Sequence, residues 1–550
     1  MDSEKRFFLA IFLSILILTV YPYYLRKINP PVPSSQTQTE LPQPLTTTMP
    51  KTDSIVDKVA PSELSQPATP IRKENKYNFS HKFLEAEFTD LGGAIIDLKL
   101  KNWGKPGSEK IVLIDSQSGN GAAFLTKIPG QGIDFANKIF TLETLNEKQG
   151  EVVFSAEEPN QWLLRKKYKF SENKPAFDFQ IELQNLSAET KNFALQVTTK
   201  ISLSGAHNND LPYAQAYIHT GDKLQSIQAA KIEKTPKILE GRILWQVIAM
   251  KYFAIILKPE KIAEFSKVWA DGKPVKNMYG MVKTATEKLD PGAIATFNFK
   301  VYSGPQYYNA LKSYKSGFEE ILSLGFFGIF KLWLLLALQW VHKLFGNYGW
   351  AIVIVTMAIK LIFTPLTHIS FESMKKMQQI QPKMKSIQER YKDDKAKQHK
   401  ETMELYKKYK VNPMAGCLPM LIQIPIFIAF YQILSQTVEL KGAPFIWWIK
   451  DLSEPDKLFT LSFTIPFLGN GINILPLLMV GSMVWQQELT PQTAAPEQQQ
   501  IMRIMPIFMG FIFYNLPSGL VLYWFLNNML SIFHQLFIKG KALPHHEEEA

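Results

Sequence analysis

A single charge lies where a charge is costly. Trp350 to Thr367 reads WAIVIVTMAIKLIFTPLT, an apolar stretch fit to enter a membrane as a helix, and Lys360 stands inside it. At about 1.5 Å per helical residue, its backbone lies roughly 10 Å short of the Thr367 end. A lysine in hydrocarbon costs about 2.5 to 3.5 kcal/mol on insertion scales, so ionisable residues in spans usually face a bundle interior or a watery cavity. The alternative is snorkelling, in which a stem of about 6 Å carries the ammonium toward the interface. If the ammonium stays inside, its chemistry is electrostatic: it attracts carboxylates or small anions.

Little else in the chain offers chemistry. The only cysteine, Cys417, sits in an apolar run, which excludes a disulfide framework, a thiol redox pair and a cysteine zinc site. Histidines are scattered, and no HExxH, GxGxxG, Walker-type loop or GxSxG string occurs. No catalytic residue, metal-ligand set or cofactor follows. The 550 residues are 46% hydrophobic with near-zero mean hydropathy, an average over a soluble block and a membrane block. The net charge of +12 gathers beside apolar runs, so it argues for membrane topology and not for DNA.

The elements that must position Lys360 can be taken in order. Phe7 to Leu25 is uncharged between Lys5, Arg6 and Arg26, Lys27, and it closes in Tyr21, Pro22, Tyr23 and Tyr24 without a small-residue cleavage site. Residues 1–27 therefore read as an uncleaved anchor, and 28–70, rich in Pro, Thr, Ser and Gln, as a flexible linker. Over 71–315 the period becomes two. Phe177, Phe179, Ile181 and Leu183 alternate with Asp178, Gln180, Glu182 and Gln184, and further strands of this kind predict a large antiparallel β-sandwich. Residues 316–347 hold an amphipathic helix on which Glu320, Lys331 and His342 fall within about 40° of one another, with Gln339 and Lys343 beside them. That pattern suits a helix lying in the interface or a span with one face on a bundle.

Parity separates those two readings. The loop Met374 to Asn412, within the segment 372–412, carries twelve lysines and arginines from Lys375 to Lys410 against five acids, and so basic a short loop belongs in the cytoplasm. If the anchor runs outward, one crossing is allowed between sandwich and loop. That crossing is 349–369, leaving 316–347 along the outer surface. Apolar stripes at Met374, Met377, Met384, Ile387 and Tyr391 and at Met403, Tyr406 and Tyr409 predict a helical hairpin. Its charge could meet ribosomal RNA or anionic lipid, or serve only as a topology signal. Further spans are expected near 414–435, 471–486, 501–515 and 516–537, and 545–550 forms a tail. Gln423 lies between Pro419 and Pro425 in the third span, a polar group beside two expected kinks. The fourth and fifth spans have only about 14 strongly apolar residues, roughly 21 Å of helix, which predicts a locally thinned bilayer. The expected fold is an α-helical polytopic bundle of six spans, a five-span core plus the anchor, with a periplasmic antiparallel β-sandwich and both termini in the cytoplasm.

Four strings carry a resemblance: NPMAGCLPMLIQIPIF at Asn412 to Phe427, PLT at Pro365 to Thr367, the APFxxWIxDLS pattern from Ala443, and LPSGLVLYW at Leu516 to Trp524. With the order of segments, they resemble the YidC-type membrane protein insertases of Gram-negative bacteria. The resemblance implies a non-enzymatic insertase and chaperone of the bacterial inner membrane, acting on nascent membrane protein clients alone or beside the Sec translocon. It implies a hydrophilic groove open to cytoplasm and lipid, with Lys360 where the family typically has Arg, and with Thr356, Gln423, Tyr523 and Trp524. Trp524 stands where a tyrosine is usual. The implied apolar slide comprises Leu421, Ile424 and Phe427 on the third span and Phe508, Met509 and Ile512 on the fifth. Membrane lipids and ribosome–nascent chain complexes are implied partners. Because the tail HHEEEA is acidic, ribosome contact would rest on the basic hairpin and the loop around Gln498. Two other classes compete: a small-anion transporter, against which no internal repeat is found, and a carbohydrate enzyme in the sandwich, where no carboxylate pair is fixed by spacing.

Overall fold

The computed structural model describes residues 74–540 except 102–109, 119–120, 132, 204–210, 273–274, 324–327, 410, 412–417, 466–467 and 491–495, and leaves undescribed the side chains of 395, 418–422, 496–501 and 538–540. The expected anchor, linker and tail lie outside the described residues.

Alternation of apolar and polar side chains builds the sandwich. Strand Ala176–Asn185 buries Phe177, Phe179, Ile181 and Leu183 and turns Asp178 outward. It pairs antiparallel with Ile294–Pro305 on one side and Trp162–Phe170 on the other, at the centre of a nine-stranded sheet. A five-stranded sheet containing Gln196–Ser202 and Asn277–Thr284, and a four-stranded sheet opening with Lys76–Ser80, share the same core. That core joins Phe179 and Ile181 to Val197, Ile201 and Val282, and to Phe79 and Phe88.

Among the described residues, seven longer helices follow. Helix α1, Gly328–Phe345, buries Lys331 with Leu334, Leu335, Leu338 and Val341 against the bundle and leaves a second apolar face open: Ile329 is 82% exposed and Trp340 65%. Helix α2, Tyr348–Arg390, is capped by Asn347, whose Oδ1 accepts from the amides of Gly349 (2.8 Å) and Trp350 (3.2 Å). It runs unbroken for 43 residues, so the expected span and the first arm of the hairpin are one helix containing Pro365 and Pro382. Near Pro365 the hydroxyls of Thr364 and Thr367 donate to the carbonyls of Lys360 and Phe363 in their own helix. Helix α3, Lys395–Lys408, packs back on α2 through Met377, Ile380, Leu405, Tyr406, Tyr409 and Val411. Met403, placed in the expected stripe, is instead exposed, because the inward face runs through Leu405, Tyr406 and Tyr409.

Helices α4, Leu418–Gln436, α5, Ile474–Leu489, α6, Pro496–Phe513, and α7, Ser518–Gly540, complete the core. Before α5, Lys457–Ile465 and Gly469–Asn473 form an antiparallel hairpin between the expected third and fourth spans. Among the described residues, α1 and α2 are the helices both long and apolar enough to cross a membrane by length and hydropathy, and Met502–Phe513 is a shorter apolar helix. Sandwich and helices touch where the Tyr213 and Tyr431 hydroxyls lie 3.3 Å apart.

Candidate functional site

Helical spacing on α2 and α7 creates the site. Residues three or four apart share a helix face, so Tyr523, Asn527, Ser531 and His534 make a polar row along α7 opposite the face of α2 that carries Lys360. The Lys360 ammonium donates to Ser531 Oγ at 2.6 Å and Asn527 Oδ1 at 3.2 Å. Both partners are neutral, and among the described residues no carboxylate pairs with Lys360. The side chain crosses to α7, so it does not snorkel along its own helix. Charge without a counter-charge, held between neutral oxygens, is a standing attraction for an anion.

The other expected groove residues divide around this contact. Gln423 on α4 donates through Nε2 to the hydroxyl of Tyr523, which is 1% exposed and stacks on Phe430 at 4.1 Å between centroids. One turn of α7 therefore separates the Gln423 contact from the Lys360 contact. Thr356, 2% exposed, donates its hydroxyl proton to Ile352 O at 2.6 Å, within its own helix. Trp524 points to a different neighbourhood: its ring meets Phe427 at 5.0 Å and Phe513 at 5.1 Å, and those two rings meet at 5.7 Å. These three aromatics join α4, α6 and α7.

Of the expected slide, the side chain of Leu421 lies outside the described residues. Ile424 is 42% exposed, Phe427 belongs to the aromatic cluster, and Phe508, Met509 and Ile512 are half-buried, the last two against the bundle core. Among the described side chains of α6, Ile504, Ile507 and Phe511 are the most exposed apolar ones. Sequence reasoning missed Asn527, Ser531, His534 and His368. The four-residue recurrence of polar side chains after Tyr523 was the signal that could have found the first three.

Polar fastening continues around α7. Asn528 donates to Ser482 Oγ on α5 at 3.1 Å and Gln535 to Thr490 Oγ1 at 3.1 Å. At the other end of the bundle, Gln339 of α1 donates to Glu439 at 3.0 Å, Lys331 reaches Gln436 at 3.4 Å, and the His342 ring stacks on Tyr348 at 3.9 Å. Lys331, Gln339 and His342 of the expected stripe are thus spent on contacts to the bundle and to Tyr348, whereas Lys343 is exposed and Glu320 lies outside α1, in the turn Phe318–Leu322, 3.8 Å from His219. Among the described residues, no group of three or more metal-ligating side chains comes together.

The β-sandwich and the helical core each match a family of inner membrane proteins. Residues 76–337 match the YidC periplasmic domain, and residues 340–545 match the 60Kd inner membrane protein family. The membrane protein insertase YidC of Pelobacter propionicus is 33% identical over 97% of this chain and 99% of its own length. That of Syntrophus aciditrophicus is 33% identical over 98% of this chain and 100% of its own length. A solved structure of an active YidC insertase is 18% identical, with a TM-score of 0.36, and covers 84% of this chain and 92% of that one. The chain belongs to the YidC family of membrane protein insertases.

Proposed function

We propose that this chain inserts membrane proteins into the bacterial inner membrane and assists their folding, without covalent chemistry. One observation carries the reading: Lys360 lies in an apolar helix, bonded only to the neutral oxygens of Asn527 and Ser531. An acidic residue in the translocated segment of a client is drawn to that charge. At an effective dielectric of about 20 a close pair gains roughly 4 kcal/mol before desolvation. The client's polar segment passes along the α7 row while its apolar span leaves sideways into lipid past Leu421, Ile424, Phe427, Phe508, Met509 and Ile512. Phe427, Phe513 and Trp524 close the outer end of the groove, and its inner end opens toward the α2–α3 hairpin.

In this reading residues 1–27 anchor the chain, 28–70 tether the sandwich of 71–315 in the periplasm, α1 lies in the outer interface, and six crossings leave both termini in the cytoplasm. The lysines of α3 face ribosome–nascent chain complexes or anionic lipid, and the bundle works alone or beside the Sec translocon. Purified protein in liposomes tests the reading with a single-span client bearing acidic residues in its translocated segment. Protease-protected client well above that in empty liposomes is expected. Equal protection in both would remove the insertase reading.

A further inference from the structure

The polar seam between α2 and α7 continues past Lys360 toward the basic hairpin. Thr364, Thr367 and His368 follow Lys360 at helical spacing on α2, and His534 follows Ser531 on α7. Both threonine hydroxyls donate to carbonyls of their own helix, so the imidazoles are the next polar side chains on the seam that a client can engage. Their ring centroids lie 5.8 Å apart, and Phe371 sets its edge against His534 at 5.6 Å. His534 Nδ1 is buried and has no hydrogen-bond partner. Leaving such an atom unsatisfied costs about 1–3 kcal/mol, a cost that a visiting carboxylate removes.

The surroundings of the pair carry no fixed counter-charge. The charged groups acting on His534 are His368 and Lys360, all of one sign when protonated. Helix α5 offers α7 the hydroxyls of Ser482 and Thr490, and α4 offers the amide of Gln423. Glu488 on α5 is exposed, and Glu372, one turn beyond His368, makes no ion pair with either ring.

We propose that His368 and His534 form a second station for client carboxylates, at the cytoplasmic mouth of the groove and ahead of Lys360. The proposal rests on the insertase reading and its orientation. An arriving carboxylate favours the protonated ring, so the station becomes charged when it is occupied. Eight residues of α2 separate His368 from Lys360, roughly 12 Å of helix. An extended client spans that distance with about four residues, so two acids four apart can engage both stations together.

The test uses the full chain in liposomes and two single-span clients, one with two aspartates four residues apart in the translocated segment and one with asparagines there. Wild type, the H368Q/H534Q double variant, His368→Lys and Lys360→Ala are compared at pH 6.5 and 8.0 on the cytoplasmic side. The double variant is expected to insert the aspartate client about threefold more slowly at pH 6.5, to treat the asparagine client as wild type does, and to lose the rise on acidification. His368→Lys should restore aspartate-client insertion and remove its pH dependence. An unchanged rate for the aspartate client, or an equal loss with both clients, overturns the station, the second outcome assigning the histidines to packing. If Lys360→Ala alone loses the preference for acidic clients, the station falls and the insertase reading stands. If wild type inserts neither client, both fall.

Discussion

Lys360 and Lys166 are two inward-facing ammonium groups that both donate only to neutral oxygens, yet they do different work. Lys166 is sealed in the sandwich, where Nζ donates to Gly92 O at 2.6 Å and Phe124 O at 2.9 Å and lies over the Phe140 ring at 5.2 Å. It ties a glycine turn and the backbone of Phe124 to the nine-stranded sheet, with Tyr168 adding a bond to Gly93 O at 2.8 Å. Burial pushes its pKa down to about 7. The unfolded chain, titrating near 10.4, then binds more protons than the folded one from about pH 7 to 10, so stability rises with pH across that window. Thermal unfolding of wild type and Lys166→Met should show it: the sandwich gains up to about 1.4 kcal/mol per pH unit above pH 7 relative to the variant. Parallel curves from pH 7 to 9 would show that Lys166 holds its proton throughout. On its strand Lys166 alternates inward with Leu164 and Tyr168. Its partners were not legible, because Gly92 and Phe124 come from distant turns. Lys360 was legible as a charge in an apolar run, whereas Asn527 and Ser531 required knowing which face of α7 meets α2.

At the scale of elements, period and composition were read well where one face is buried and poorly where it is not. The strand Phe177 to Gln184 and the stripe at Met377 follow their sequence periods into the core. Strand Lys457–Ile465 also has a period of two, with Phe459, Leu461 and Phe463 against Thr460, Ser462 and Thr464, but it packs little and its period carried no expectation of a strand. Helix α2 passes through Pro365 and Pro382, two missing backbone bonds in a helix of 43 residues. Close approach of α5 and α6 depends on Gly510, where an added Cβ would overlap Val480 Cγ2. Gly510→Leu should therefore lower the thermal midpoint of the helical core by several degrees, an overpacking cost of about 1–3 kcal/mol. Adding Val480→Ala should recover part of that loss. A midpoint unchanged in the single variant would mean the two helices separate freely at this level.

For the whole molecule, charge distribution and one stranded domain give the chain two unlike ends. The lysine-rich hairpin of α2 and α3 and the β-sandwich lie at opposite ends of the Lys360 helix in the sequence, and positive charge favours the cytoplasmic side. The Phe427, Phe513 and Trp524 cluster and the polar row of α7 occupy the bundle between them. That arrangement makes a local claim about a global act: one uncompensated ammonium biases which polar segments cross. The direct measurement is insertion of matched single-span clients, with acidic or neutral translocated segments, by wild type, Lys360→Arg and Lys360→Ala in liposomes. Lys360→Ala should insert the acidic clients at least about fivefold more slowly, a loss of roughly 1 kcal/mol in the barrier, while Lys360→Arg stays near wild type and neutral clients respond little. Equal insertion by wild type and Lys360→Ala across the whole client set would contradict the account and leave Lys360 as a structural tie to Asn527 and Ser531.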